Sequence, residues 1–171
     1  LGNDFHLTPH NLTKWQLSPE IAAKCRRCGK HGTFTPLPGV TVETFPSTDE
    51  GVAWMVTVNG QSIFHAGDLN WWHWAEEDLA WNRNMEANFK RYTEPLRGRR
   101  VDLAMLPLDS RLKMDGYLGP NYFLNLMEVR RFLPMHQWED FAFTDEFLSA
   151  YPQFAPITVK IHRDGEFLGE L

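Results

Sequence analysis

Ser62-Ile63-Phe64-His65-Ala66-Gly67-Asp68-Leu69-Asn70-Trp71-Trp72-His73-Trp74 decides how this chain is read. A short apolar strand runs into a turn of small residues. The turn carries an Asp, with His65, His73 and three tryptophans close by. Strand ends beside tight turns are where a rigid sheet presents catalytic or metal-binding side chains. Just upstream, Val52 to Val58 reads as a strand and Asn59-Gly60 as a hairpin turn of the primed type, so Gln61 to His65 is the partner strand.

Working outward, Val40, Val42 and Thr44 alternate with Thr41, Glu43 and Phe45, the mark of a half-buried strand. Residues 46–51 form a polar loop. Downstream, Trp81, Met85, Phe89, Tyr92 and Leu96 fall on one face of a helix expected over Glu76 to Leu96. Val101 to Pro107 is a nearly continuous apolar run, expected as a strand covered on both sides. A helix is expected over Asn121 to Phe132, and a short strand over Phe132 to Met135, ending at His136. Thr144 is placed to cap a helix from Asp145 to Tyr151, and Ile157 to Ile161 reads as a strand closing the sheet before the Asp164-Gly165 turn. Before the hairpin, residues 1–12 read as a strand end and loop, and Ser18 caps a short helix that begins at Pro19. Hairpin strands followed by alternating helices and strands give a layered α/β (α+β) architecture, a mixed sheet with helices packed on it.

The 171 residues fit a single domain with a sizeable core, and a hydrophobic share of 43% excludes a disordered chain. A net charge of −5 leaves no footprint for nucleic acid, and Arg97-Gly98-Arg99-Arg100 is read as a solvated loop. No run is long enough to span a bilayer and no signal peptide opens the chain, so a cytoplasmic location is expected. The chain begins with Leu1 and not Met, as a processed, trimmed or excerpted chain would. Cys25 and Cys28 form one CxxC with His31 nearby, which is half of a zinc knuckle, a redox pair or two reduced thiols.

Asp68, Asp109 and His136 each follow an apolar strand, and neighbouring strand ends in a layered fold converge on one rim. A carboxylate and an imidazole there suit a divalent ion of zinc type. A second ion would make Asp68 a bridge, with hydroxide between the ions as nucleophile. The bland alternative is that Asp68 is an Asx-turn residue and His136 a satisfied loop residue. Trp71 and Trp72 wall a substrate pocket or anchor the 76–96 helix. His73 is a candidate proton donor, and Asp109 a candidate partner of a ligating His or of a metal-bound water. His65 is expected to face away from Asp68.

Taken together, Val52-Ala53-Trp54-Met55-Val56, the Asn-Gly hairpin, the Ile63 to Trp74 stretch, the Val101 to Asp109 strand and Pro134-Met135-His136 resemble the metallo-β-lactamase superfamily, in particular its small bacterial metal-dependent hydrolases. The likeness covers residues from about 38 to 140, with several motifs in the right order. It implies the C-terminal part of an αββα sandwich, with Asp68 bridging two metals and His136 binding the second. The family's His-x-His-x-Asp-His motif is absent from the chain. Where its middle His ligand should fall, Ser47 and Asp49 stand instead, a possible altered ligand position.

The chain is therefore expected to be incomplete at its N-terminal side and stable only with a preceding segment or a swapped protomer. Two functions compete. One is a hydrolase whose metal-bound hydroxide attacks an ester, lactone, amide or phosphoester of a small-molecule substrate, with zinc as the expected ion, one or two per site. In that case the 171-residue chain alone is expected to be inactive. The other is a metal-free binding or scaffold relative of the same fold. A zinc-knuckle module on Cys25, Cys28 and His31 is a third, weaker reading.

Overall fold

The structure, a computed structural model, describes residues 5–7, 18–23 and 25–169. Six strands form the main sheet in the order of the chain: β3 (Thr33–Leu37), β4 (Val40–Pro46), β5 (Val52–Val58), β6 (Gln61–His65), β7 (Arg100–Pro107) and β8 (Glu128–Met135). The first four run as an antiparallel meander, and β6, β7 and β8 are parallel. Asn59 and Gly60 both take positive φ, 50° and 86°, which turns β5 into β6 in the primed geometry that their sequence predicts. Apart from this sheet, β1 (Phe5–Leu7) pairs in parallel with β2 (Cys25–Arg27), so the first half of the CxxC lies on a strand.

Two helical crossovers step the sheet in the same direction, from β6 to β7 through α2 (Leu79–Thr93) and from β7 to β8 through α3 (Leu118–Leu126). Crossovers of one hand stepping one way put their helices on one face. That face carries Phe45 opposite Ala53 and Met55 opposite Phe64, and continues through Ala104 to Phe132. The Phe64 ring meets Phe123 of α3 at 4.8 Å, and Phe132 meets Phe147 of α4 (Phe143–Ala150) at 6.1 Å. All of these side chains are buried. At about 2 kcal/mol or more per large apolar side chain, this face is the main source of stability.

The opposite face is also apolar. Val56, Ile63 and Leu103 lie in register across three strands, as do Trp54, His65, Met105 and Leu133 across four. These apolar side chains stay only part-buried, and Ile63 keeps 42% of its surface. No described helix packs there.

Several elements depart from their sequence patterns. The 76–96 helix starts at Leu79, because the Asp78 side chain accepts from Trp81 N at 2.7 Å and caps it there. It ends at Thr93, and Glu94–Leu96 tightens to a single 3-10 turn. The short helix α1 (Pro19–Ala22) begins as expected, with Ser18 as its cap. The third helix stops at Leu126, and residues 128–132, expected as helix, are strand. Exposed Glu128 and Arg130 alternate with half-buried Val129 and Arg131, the period of a strand, and the segment pairs with β7. Thr144 does not cap α4; its hydroxyl accepts from Gln137 Nε2 at 2.6 Å.

The closing strand at 157–161 is reduced to one bridge. Phe132 N donates to Ile157 O and Val159 N to Phe132 O. The next outward-facing donor on β8 belongs to residue 134, a proline, which has no N–H to continue the ladder.

Candidate metal centre

The parallel run of β6, β7 and β8 brings their C-terminal ends to one rim, and with them Asp68, Asp109 and His136. After His65 the chain is tied to the neighbouring strand by Ala66 N donating to Met105 O at 2.9 Å. Gly67 then turns with φ +56°, where a Cβ would stand 3.1 Å from Val52 O. Asp68 follows with its carbonyl held by Trp72 Nε1 at 2.9 Å. Thr48 secures the next turn, its hydroxyl accepting from Asn70 N and donating to Asn70 O. The backbone of Asp68 is thus fixed and its carboxylate left to point outward.

His136 stands one residue beyond β8, with φ +59°, and its Nε2 lies 3.5 Å from Asp68 Oδ1. That is too long for a good N–H···O hydrogen bond. It is close to the roughly 3.4 Å that separates two donors about 2.1 Å from one tetrahedral ion. Both side chains remain partly open, at 27% and 33%. Trp72 flanks the imidazole, its ring centre 6.1 Å away.

Partial burial is the main reason the Asp68 carboxyl is raised above its ordinary value; Asp49 and Glu50 add to the rise, while His136 and His65 oppose it. His65 does not face away from Asp68, contrary to the sequence reading. Desolvation, then the nearness of His136, hold its pKa down. Its Nδ1 accepts from Gly67 N at 3.0 Å, which in the neutral ring leaves the proton on Nε2. His65 is therefore set to donate a hydrogen bond, not to ligate through that nitrogen. A cavity of about 230 Å³ opens on Asp68, His65 and Glu50.

Crowded acids beside imidazoles are relieved by a cation, and Asp68 and His136 offer two of the four donors that zinc usually takes. Among the described residues no three metal-binding side chains converge. The remaining donors would have to come from elsewhere.

The other sequence candidates are dispersed. Asp109 is fully buried and engaged: Arg111 grips it with Nε and Nη2, at 2.9 and 2.6 Å, and Trp138 Nε1 donates to it at 3.1 Å. His73 Nδ1 lies 3.0 Å from Asp115 Oδ2, apart from Asp68. Trp72 is buried beside the pair, whereas Trp71 packs against Phe89 and Tyr122 with Lys90 over its ring. Ser47 accepts from Asp49 N through its hydroxyl. Asp49 reaches Asp68 only through its charge. Cys25 Sγ donates to Ile21 O, Cys28 is buried, and His31 sits in a turn with φ +62°.

Sequence reasoning missed a stack that starts beside His136 and ends on Trp138, two residues further along the chain. Trp72 and Trp74 lie parallel at 6.3 Å, the Arg111 guanidinium is 5.6 Å from the Trp74 ring, and its other neighbour is Trp138 at 4.4 Å. Nothing in the spacing of these residues announces it. Only the anchoring carboxylate, Asp109, was visible as a strand-end acid.

No family model and no curated protein matches the chain. Solved structures do. A protein described as a metal-dependent hydrolase from Parabacteroides distasonis matches with a TM-score of 0.64 at 13% identity, over 93% of this chain and 64% of its own. Zinc-bound PqqB from Methylobacterium extorquens matches with a TM-score of 0.51 at 17% identity, over 94% of this chain and 61% of its own. The chain thus spans less than two thirds of the length of either structure. This chain shares the α+β fold of both structures, a mixed sheet with helices packed on it and parallel strand ends on one rim, consistent with the metallo-β-lactamase-like architecture that its sequence resembles.

Proposed function

We propose that this chain forms part of a metal-dependent hydrolase in which Asp68 and His136 hold a divalent ion. The observation that carries the reading is the 3.5 Å approach of an outward carboxylate and an imidazole at the ends of parallel strands. Bound there, the ion would supply Lewis acidity and a hydroxide nucleophile at neutral pH. Trp72 fixes the main chain of Asp68 and shields one side of the imidazole. The Nε2–H of His65 is available to orient a carboxylate or a substrate oxygen. A mixed nitrogen and oxygen donor set suits zinc among the first-row divalent ions.

The half-exposed apolar face around Ile63 and Leu103 fits a second sheet layer of the same fold, supplied by further polypeptide that would bring the missing donors. Its support is the apolar register on that face and the partial span of the matched structures. The competing reading, a metal-free scaffold, draws on the absence of a third donor among the described residues.

Zinc titration by calorimetry, with elemental analysis of protein purified without chelator, separates the two. Asp68→Asn and His136→Ala should each lower bound zinc severalfold. Equal zinc content in both variants and the parent would sink the assignment.

A further inference from the structure

The cavity on the far side of His136 has a wall that metal binding does not explain. About 580 Å³ in volume, it is lined by Met135, His136, Trp138, Phe141, Ile161 and Leu168, alongside four charged residues. A space of that size takes a small organic molecule. It shares His136 with the Asp68 pair, so whatever fills it lies beside the candidate metal centre.

Trp138 is the unusual member of that wall. It keeps 63% of its surface exposed, so burial does not account for its position. The loop holding it has positive φ at His136, Trp138 and Glu139, 59°, 50° and 65°, a conformation that costs non-glycine residues about 1 kcal/mol or more each. The indole is also pinned. Its Nε1 donates to buried Asp109, and the Arg111 guanidinium covers one ring face at 4.4 Å. Arg111 is itself fixed by Asp109 and has Trp74 beyond it, and it does not line the cavity. Trp138 lines the cavity and Arg111 does not, so what the indole presents there is ring that the guanidinium leaves uncovered. A rigid, exposed indole backed by a cation is a surface for stacking.

We propose that Trp138 is the stacking surface for a flat aromatic ring of the substrate, held in this cavity while the bond to be cleaved lies at Asp68 and His136. The substrate class is then an aryl or arylacyl ester or amide. This rests on the hydrolase reading for the reaction, but the ring site stands on its own geometry.

Two uncharged, non-hydrolysable probes test it in the zinc-free and zinc-loaded chain: 2-naphthol and its saturated counterpart 2-decalol, with affinities from saturation-transfer NMR titrations. The expected result is 2-naphthol binding about tenfold more tightly than 2-decalol. Trp138→Ala should remove most of that preference, and Trp138→Phe should keep most of it. Equal binding of the two probes, no saturable binding, or an unchanged preference in Trp138→Ala would overturn the proposal. If circular dichroism shows Trp138→Ala unfolded, Trp138→Phe and the probe ratio in the parent decide. Zinc content is measured on the same samples, so loss of the metal reading leaves the ratio readable, and loss of the ratio with zinc retained overturns the ring site alone.

Discussion

The indole N–H of Trp72 donates to the main-chain carbonyl of Asp68, four residues back, at 2.9 Å. One side chain thereby fixes the backbone of the proposed ligand and, through its ring, the flank of His136. Trp72→Phe retains an aromatic ring and loses the donor. The expected cost is about 1–2 kcal/mol of stability, from the lost hydrogen bond and the smaller ring together, since only the Thr48 hydroxyl, at 3.4 Å, is left to that carbonyl. Denaturant titration measures it. Zinc affinity should fall in the same variant, because Asp68 is no longer held. A variant as stable and as zinc-competent as the parent would refute this account of Trp72.

Gly67→Ala tests the turn itself. The backbone there is left-handed, and the added methyl would meet Val52 O at 3.1 Å. A loss of about 1–2 kcal/mol is expected, read as a lower thermal midpoint. An unchanged midpoint would show that the turn relaxes at no cost.

Asp109 carries the pH dependence. Burial alone would raise its carboxyl, but hydrogen bonds from the Arg111 side chain and backbone, and from Trp138, outweigh burial and hold it below the ordinary value. A depressed folded value means that its stabilisation is present above the unfolded value, about 3.9, and is lost as pH falls through the lower folded one. Asp109→Asn should therefore be less stable at neutral pH, yet lose less further stability below about pH 4 than the parent does. Denaturation midpoints at neutral and acid pH make the comparison. Parallel pH curves for the two proteins would rule out Asp109 as a source of acid sensitivity.

The open sheet face predicts the behaviour of the isolated chain. With Ile63 at 42% exposure in an apolar patch, the 171 residues alone should self-associate. Ile63→Lys should shift light-scattering mass toward the monomer. A monomeric parent that melts cooperatively would argue against a missing layer.

Much of the positioning machinery was legible in the sequence because it is local. The Asn59-Gly60 turn fixes β5 against β6, and apolar strands that end in a polar residue placed Asp68, Asp109 and His136 on one rim. What was hidden depends on distant partners. Residues 128–132 become strand because β7 is there to pair with them. His65 turns toward the site because Gly67 N bonds its ring, and Asp109 is bound by Arg111 and Trp138, residues with no periodic signature. Exposed aromatic residues in loops give no sequence signal of what they will stack on.

Pro134 has a consequence beyond ending a ladder. The strand that delivers His136 is an outer one, and bare outer strands invite foreign chains to zip onto them and grow into aggregates. The single bridge at Phe132 occupies the last place on β8 before the proline where such pairing could continue. From there to His136 the backbone offers an intruding strand no donor at residue 134. The mouth of the proposed site is protected from intermolecular β-pairing by one missing hydrogen atom.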